Sequence, residues 1–179
     1  MNTSNNPSAL RSRAEITAAL FALMKQHPYN EITVKQIVLE AKIAKKTFYR
    51  NFTSKDDVIK AFILGVIKEY SDELKKGDEK SLDIIFRVIE KYKTEITLLD
   101  KNDMLYLILL YLNEYLPEIH HDENISRDIP TRYFGGLDPE YLMAFHIGAA
   151  WNVVFKWVHK GMTDPPEQIK AVIIKYLER

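Results

Sequence analysis

Lys45, Lys46, Thr47, Tyr49, Arg50 and Asn51 crowd into seven positions and carry the side-chain chemistry that nucleic acid asks for. The two ammonium groups can donate to guanine O6 and N7 or to phosphate oxygens, and the Asn51 amide can do either. Thr47 and Tyr49 offer hydroxyls to phosphate, and Thr47 adds a methyl for thymine. Lys55 lies four residues on, where the free amides of a new helix would join it in an anion site. Thr33 would do the same at the start of an earlier helix. Phe48 and Phe52 interrupt the polar run at positions that face inward. A solvated basic hairpin would carry the same charges, so the elements around these residues must decide.

Those elements read as helices. Apolar residues in 9–26 recur with helical spacing at Leu10, Ile16, Leu20, Leu23 and Met24, and "HPYNEI" then breaks the pattern. "TVKQ" is a capping box: Thr33 can accept from the Gln36 amide, and Gln36 can reach back. A short helix over 33–41 follows, then a turn at Lys42-Ile43 and a second short helix over 44–51. Ile37, Ala41, Ile43 and Phe48 seal the pair into a helix-turn-helix. Ser54 then caps a long helix to about residue 76, with Asp56 and Asp57 in its first turn. Gly65 within it reads either as tolerated or as a point of close packing. Further helices fit 80–99, with a possible break near 94–100, then 103–119, 139–160 and 165–178. A Pro- and Gly-rich loop separates the helix over 103–119 from that over 139–160. The class is all-α, with about nine helices.

Charge agrees with the placement of the polar run. The net charge is zero, yet residues 1–55 hold nine Lys and Arg against three acids, and the remainder carries the opposite excess of six. Such a split favours nucleic-acid contact at the basic end. A hydrophobic fraction of 46% supports a sizeable core. There is no cysteine, so thiol catalysis and disulfides are excluded. The N-terminus lacks the apolar run of a signal peptide, and no apolar run reaches the roughly 20 residues of a membrane span. The chain is expected to be cytoplasmic and to make no membrane contact.

The stretch "TVKQIVLEAKIAKKTFYRNFTSKDDVIKAF" resembles the DNA-binding helices of TetR-family transcriptional regulators. The pattern falls on Thr33, Ile37, Ala41, Ile43, Lys45, Thr47, Tyr49, Phe52, Ser54, Lys55 and Asp56. Three residues depart from it: Lys42 replaces the usual turn glycine, Ala44 the frequent capping serine, and Lys46 a small residue. The resemblance implies a DNA-binding head over 1–53 and a helical effector-binding and dimerisation domain over 54–179. It also implies double-stranded DNA, a second copy of the chain and an unknown small-molecule effector as partners. The expected function is a ligand-released homodimeric repressor on a palindromic operator. The alternative is a co-regulator that acts through a protein partner.

Residues 140–159 are apolar almost all round, which buries a helix on more than one side. Ala144, Gly148 and Ala149 form a small-residue strip, and with Phe155, Ile169 and Ile173 they are candidates for the dimer interface that the resemblance implies. A core helix of the monomer is the competing reading. Candidates for the effector pocket are Phe86, Tyr106, Leu107, Leu110, Tyr111, Tyr115, His146 and Trp151, although leucine and tyrosine at this spacing more often form core. "HHDE" at 120–123 has no second ligand pair at metal-binding spacing and reads as loop. No nucleophile–base pair, catalytic carboxylate pair or Gly-rich phosphate loop stands out. We expect no enzyme, metal or cofactor.

Overall fold

A computed structural model of the chain describes residues 6–120 and 138–177. Every regular element among the described residues is helical: α1 (Pro7–Met24), α2 (Val34–Glu40), α3 (Lys45–Asn51), α4 (Lys55–Lys76), α5 (Ser81–Lys91), α6 (Lys93–Lys101), α7 (Tyr106–His120), α8 (Pro139–His159) and α9 (Pro166–Leu177). A single 3₁₀ turn, Tyr29–Glu31, stands between α1 and α2. The expected loop over 121–137 lies outside the described residues. The helices divide into two compact units, 1–64 and 65–179. The boundary falls inside α4, later than the residue-53 boundary read from sequence.

In the first unit, α1 starts where Asn6 accepts from the Ser8 amide ahead of Pro7. It packs on α2 and α3, and α2 packs on α3. Ile16, Leu20, Ile37, Phe48, Val58 and Ile59 are wholly buried there. The Phe21 and Phe62 rings meet edge to face at 4.7 Å. Burial of each such side chain stabilises the unit by about 1.5–3 kcal/mol relative to exposure.

In the second unit, α7 packs on α8, α8 on α9 and α6 on α8. Tyr70, Leu74, Ile84 and Val88 form a core cluster flanked by Val66, Ile85, Tyr92, Leu112 and Ile147. The helix expected over 80–99 is interrupted at Tyr92, whose backbone leaves the helical region at φ −104° and ψ 22°. A Cβ at Gly65 would meet nothing within 4 Å among the described residues.

Three helix ends share one solution. After α2, α6 and α8 the chain turns through a left-handed residue, at Lys42, Asp103 and Gly161 respectively. In each case the following amide reaches back to a carbonyl five residues earlier: Ile43 to Val38 at 3.1 Å, Met104 to Leu99 at 2.8 Å and Met162 to Trp157 at 3.0 Å. These are Schellman caps, which satisfy carbonyls left free at the helix end. Glycine takes the left-handed position without penalty, and Gly161 does so at φ 78°. Lys42 occupies it at φ 53° despite its Cβ.

Candidate nucleic-acid interface

Local sequence builds the reading head. Thr33 caps α2 by accepting from the Gln36 amide at 3.3 Å, while the Gln36 side chain accepts from the Thr33 amide at 2.8 Å. The expected capping box is therefore formed. The Thr33 hydroxyl also donates to Gln36 Oε1 at 2.7 Å. Ala44 caps α3 with backbone alone. The Thr47 amide still bonds the Ala44 carbonyl at 2.8 Å, but the first amides of α3 have no side-chain acceptor. They remain available to an anion.

Phe48 is wholly buried and sets the rotation of α3. That rotation leaves Lys45, Lys46, Tyr49 and Arg50 exposed and Thr47 half-buried. The Tyr49 ring is 52% exposed, packs edge-on against Phe48 at 5.4 Å and lies beneath the Lys45 ammonium at 5.8 Å. Asn51 is half-buried and donates to the Thr47 carbonyl at 2.8 Å. Its amide nitrogen thus has an internal partner, and its carbonyl oxygen is the end left for a ligand. Phe52 closes the head 4% exposed, with the Arg13 guanidinium 5.9 Å from its ring centre.

Lys55 has a different set of partners from the phosphate expected of it. Its ammonium donates to the carbonyls of Tyr29 at 2.6 Å, Ile32 at 2.9 Å and Asn30 at 3.3 Å. It also lies 4.4 Å from the centre of the Tyr29 ring. The Tyr29 phenol donates to Asp56. Burial, then the hydrogen bond to Asp56, pushes that phenol well above the usual tyrosine range, so it stays protonated. Sequence reasoning missed Tyr29 and Asp56 as partners because about 26 positions separate the two ends of the contact. Ser54 does cap α4, accepting from the Asp57 amide at 3.1 Å.

The second unit sorts the other candidates by exposure. Phe86 is core: it is 4% exposed and its ring lies 5.3 Å from that of Trp157. Trp151 is also buried, whereas Tyr106 and Leu110 are 60% and 53% exposed. Leu107, Tyr111, Tyr115 and His146 are half-buried. Both ring nitrogens of His146 are shut off from solvent, and neither has a hydrogen-bond partner among the described residues. On α8, Ala144 and Ala149 are exposed and Gly148 and Phe155 half-buried. Ile169 is half-buried, and Ile173 is 4% exposed within its own chain, which leaves it almost no surface for a partner. The larger exposed apolar groups here are Tyr141, Phe145, Val172 and Ile174. The 120–123 run starts at the end of α7 and lies outside the residues whose side chains are described.

Residues 16–62 match the family model of "Bacterial regulatory proteins, tetR family". No curated protein matches the sequence. Two solved structures share the fold along nearly the whole chain. The fatty acid degradation regulator FadR from Bacillus halodurans superposes with a TM-score of 0.66 at 20% identity, covering 90% of this chain and 92% of that one. The dihydroxyacetone kinase operon activator DhaS gives 0.63 at 15% identity, covering 94% and 97%. At such identities the likeness concerns the fold alone. The match runs from within α1 to within α4 and takes in the elements that present Lys45, Lys46 and Tyr49, so residues 16–62 are similar to the tetR-family helix-turn-helix domain.

Proposed function

We propose that the chain is a homodimeric, ligand-responsive transcriptional regulator that binds a palindromic operator through α3 and acts as a repressor. The observation that carries the DNA-binding part is the outward set on α3, with Lys45, Lys46, Tyr49 and Arg50 exposed around the buried Phe48. A helix of seven residues is about 10 Å long and reads only a few base pairs. Two heads on successive major grooves supply the missing affinity, and a two-fold dimer matches a two-fold operator. The exposed Tyr49 hydroxyl and the uncapped amides of α3 supply backbone-phosphate contacts that set register.

The dimer reading rests on α8. Tyr141 and Phe145 are 78% and 69% exposed on a helix that also presents Ala144 and Ala149. Apolar groups of that size gain most from a second copy. The effector reading rests on His146. Ring nitrogens shut off from water, with no partner among the described residues, cost about 1–3 kcal/mol, and a bound polar molecule would remove that cost. The effector then shifts the population between operator-competent and incompetent dimers.

The test is a gel shift on fragments of the chain's own upstream region across a salt series. The expected result is binding to a palindrome that weakens steeply with salt. Absence of any salt-sensitive binding sinks the proposal and leaves the co-regulator acting through a protein partner. Transcription from the bound promoter with and without the chain decides the sign. Activation rather than repression would place it with the neighbour whose name reads "operon activator".

A further inference from the structure

We propose that Lys55 is a positioning residue for the Thr33 end of α2, and that its ammonium makes no phosphate contact when the head is on DNA. The DNA half of this inference rests on the DNA-binding reading above; the positioning half does not.

An ammonium has three N–H donors and no acceptor. Here three carbonyls, of Tyr29, Asn30 and Ile32, converge on it. All three belong to the 3₁₀ turn or its flanks, immediately before Thr33. A phosphate would have to displace these charge-assisted bonds, which are among the stronger protein hydrogen bonds. The neighbouring Asp56 accepts from the Tyr29 phenol and holds the same turn from its side chain. Two adjacent residues at the start of α4 therefore grip one turn, by its carbonyls and by its aromatic side chain. The turn ends where the Thr33–Gln36 capping box begins, so the grip decides where the α2 amides point. The Thr33 amide and hydroxyl both donate to Gln36, so Lys55 acts on DNA through the placement of α2 and not through a phosphate of its own.

Two substitutions separate the roles. Lys55→Met keeps an unbranched apolar stem and removes all three donors. Lys55→Arg keeps the charge, but its planar fork does not converge on three carbonyls. Amide hydrogen exchange is measured first, on the free chain. In both variants the Glu31, Ile32 and Gln36 amides, now bonded to Pro28, Tyr29 and Thr33, should exchange about tenfold faster. The Phe48 and Phe52 amides of the α3 region should be unchanged. Unchanged exchange over 31–36 in both variants overturns the positioning role.

Binding to a short mixed-sequence duplex is then titrated across a salt series, at a temperature where the variants are folded. The expected result is a loss of about tenfold in both variants with the wild-type slope of log affinity against log salt. A slope reduced by about 0.9 in Lys55→Met, with wild-type binding in Lys55→Arg, identifies a phosphate contact and overturns the proposal. A wild-type chain that binds no duplex in a salt-sensitive way defeats the DNA-binding reading and this half with it. The exchange measurement still judges the positioning half.

Discussion

Lys42 and Ala44 sit two positions apart, and each costs stability at a place where another residue would not. Lys42 holds the left-handed turn at φ 53°. That conformation costs a residue with a Cβ about 1–2 kcal/mol, while glycine there gives back about 0.5–1 kcal/mol in unfolded-chain entropy. Lys42→Gly should therefore stabilise the head by about 0.5–1 kcal/mol, seen as a higher urea midpoint at unchanged m. Ala44 caps α3 without a side-chain bond. Ala44→Ser should add about 1 kcal/mol by the same measurement. Tyr49 contributes nothing comparable to the fold, being half exposed. Tyr49→Ala should leave thermal stability within about 0.5 kcal/mol and weaken duplex binding about tenfold. Unchanged binding would take Tyr49 off the interface.

At the scale of the elements, polar ties hold helix ends and neighbouring helices together. Trp157 on α8 is buried and donates its indole N–H to the Asp164 carbonyl at 2.9 Å, across the turn to α9. Lys170 on α9 meets Asp83 on α5 at 2.8 Å and lies 5.5 Å from the Phe86 ring centre. Trp157→Phe keeps an aromatic ring against Phe86, yet it loses the indole bond and part of the ring volume. It should destabilise the second unit by about 1–3 kcal/mol, read from the thermal midpoint.

Between α4 and α5, Arg87 bridges Glu73 at 3.0 Å and Glu79 at 2.9 Å. Hydrogen bonds from Lys76, then from Arg87, hold the Glu73 carboxylate below its ordinary value of 4.5. The stability this contributes is present above that value and is lost as pH falls through the lower, folded one. Unfolding followed from pH 7 into acid should show the loss below about pH 4.5, and Glu73→Gln should flatten that part of the profile. The group is at the surface, so the change should be small and should shrink further in high salt.

For the molecule as a whole, the exposed aromatic residues of α8 carry the expectation. Tyr141 and Phe145 together are too large an apolar surface to leave in water without cost. Phe145→Glu should turn the proposed dimer into monomers in sedimentation experiments while circular dichroism stays helical. Operator affinity should then drop by about a hundredfold or more, since one short recognition helix must act alone. A dimer that survives both Phe145→Glu and Tyr141→Glu would remove this face of α8 from the interface. Among the described residues, no helix is long and apolar enough to cross a membrane.

What the sequence alone determined is everything with a short-range cause. The helical spacing of Ile16, Leu20 and Leu23 marks α1 and its buried face. The Thr33–Gln36 box and the Ser54 cap join residues only three positions apart, and both formed as the letters implied. The head was legible down to which aromatic residue faces in, because Phe48 and Tyr49 are neighbours on one helix and must point apart. Tertiary structure decided the rest. Lys55 found carbonyls more than twenty positions away, and no local rule separates that outcome from a phosphate contact. Phe86 became core because Trp157 and Lys170 arrive from α8 and α9. Ile173 turned inward while Val172 and Ile174 turned out, since the rotation of α9 is set by what it packs against. A helix's period is written in its own residues, but the partner that each face meets is a property of the folded chain.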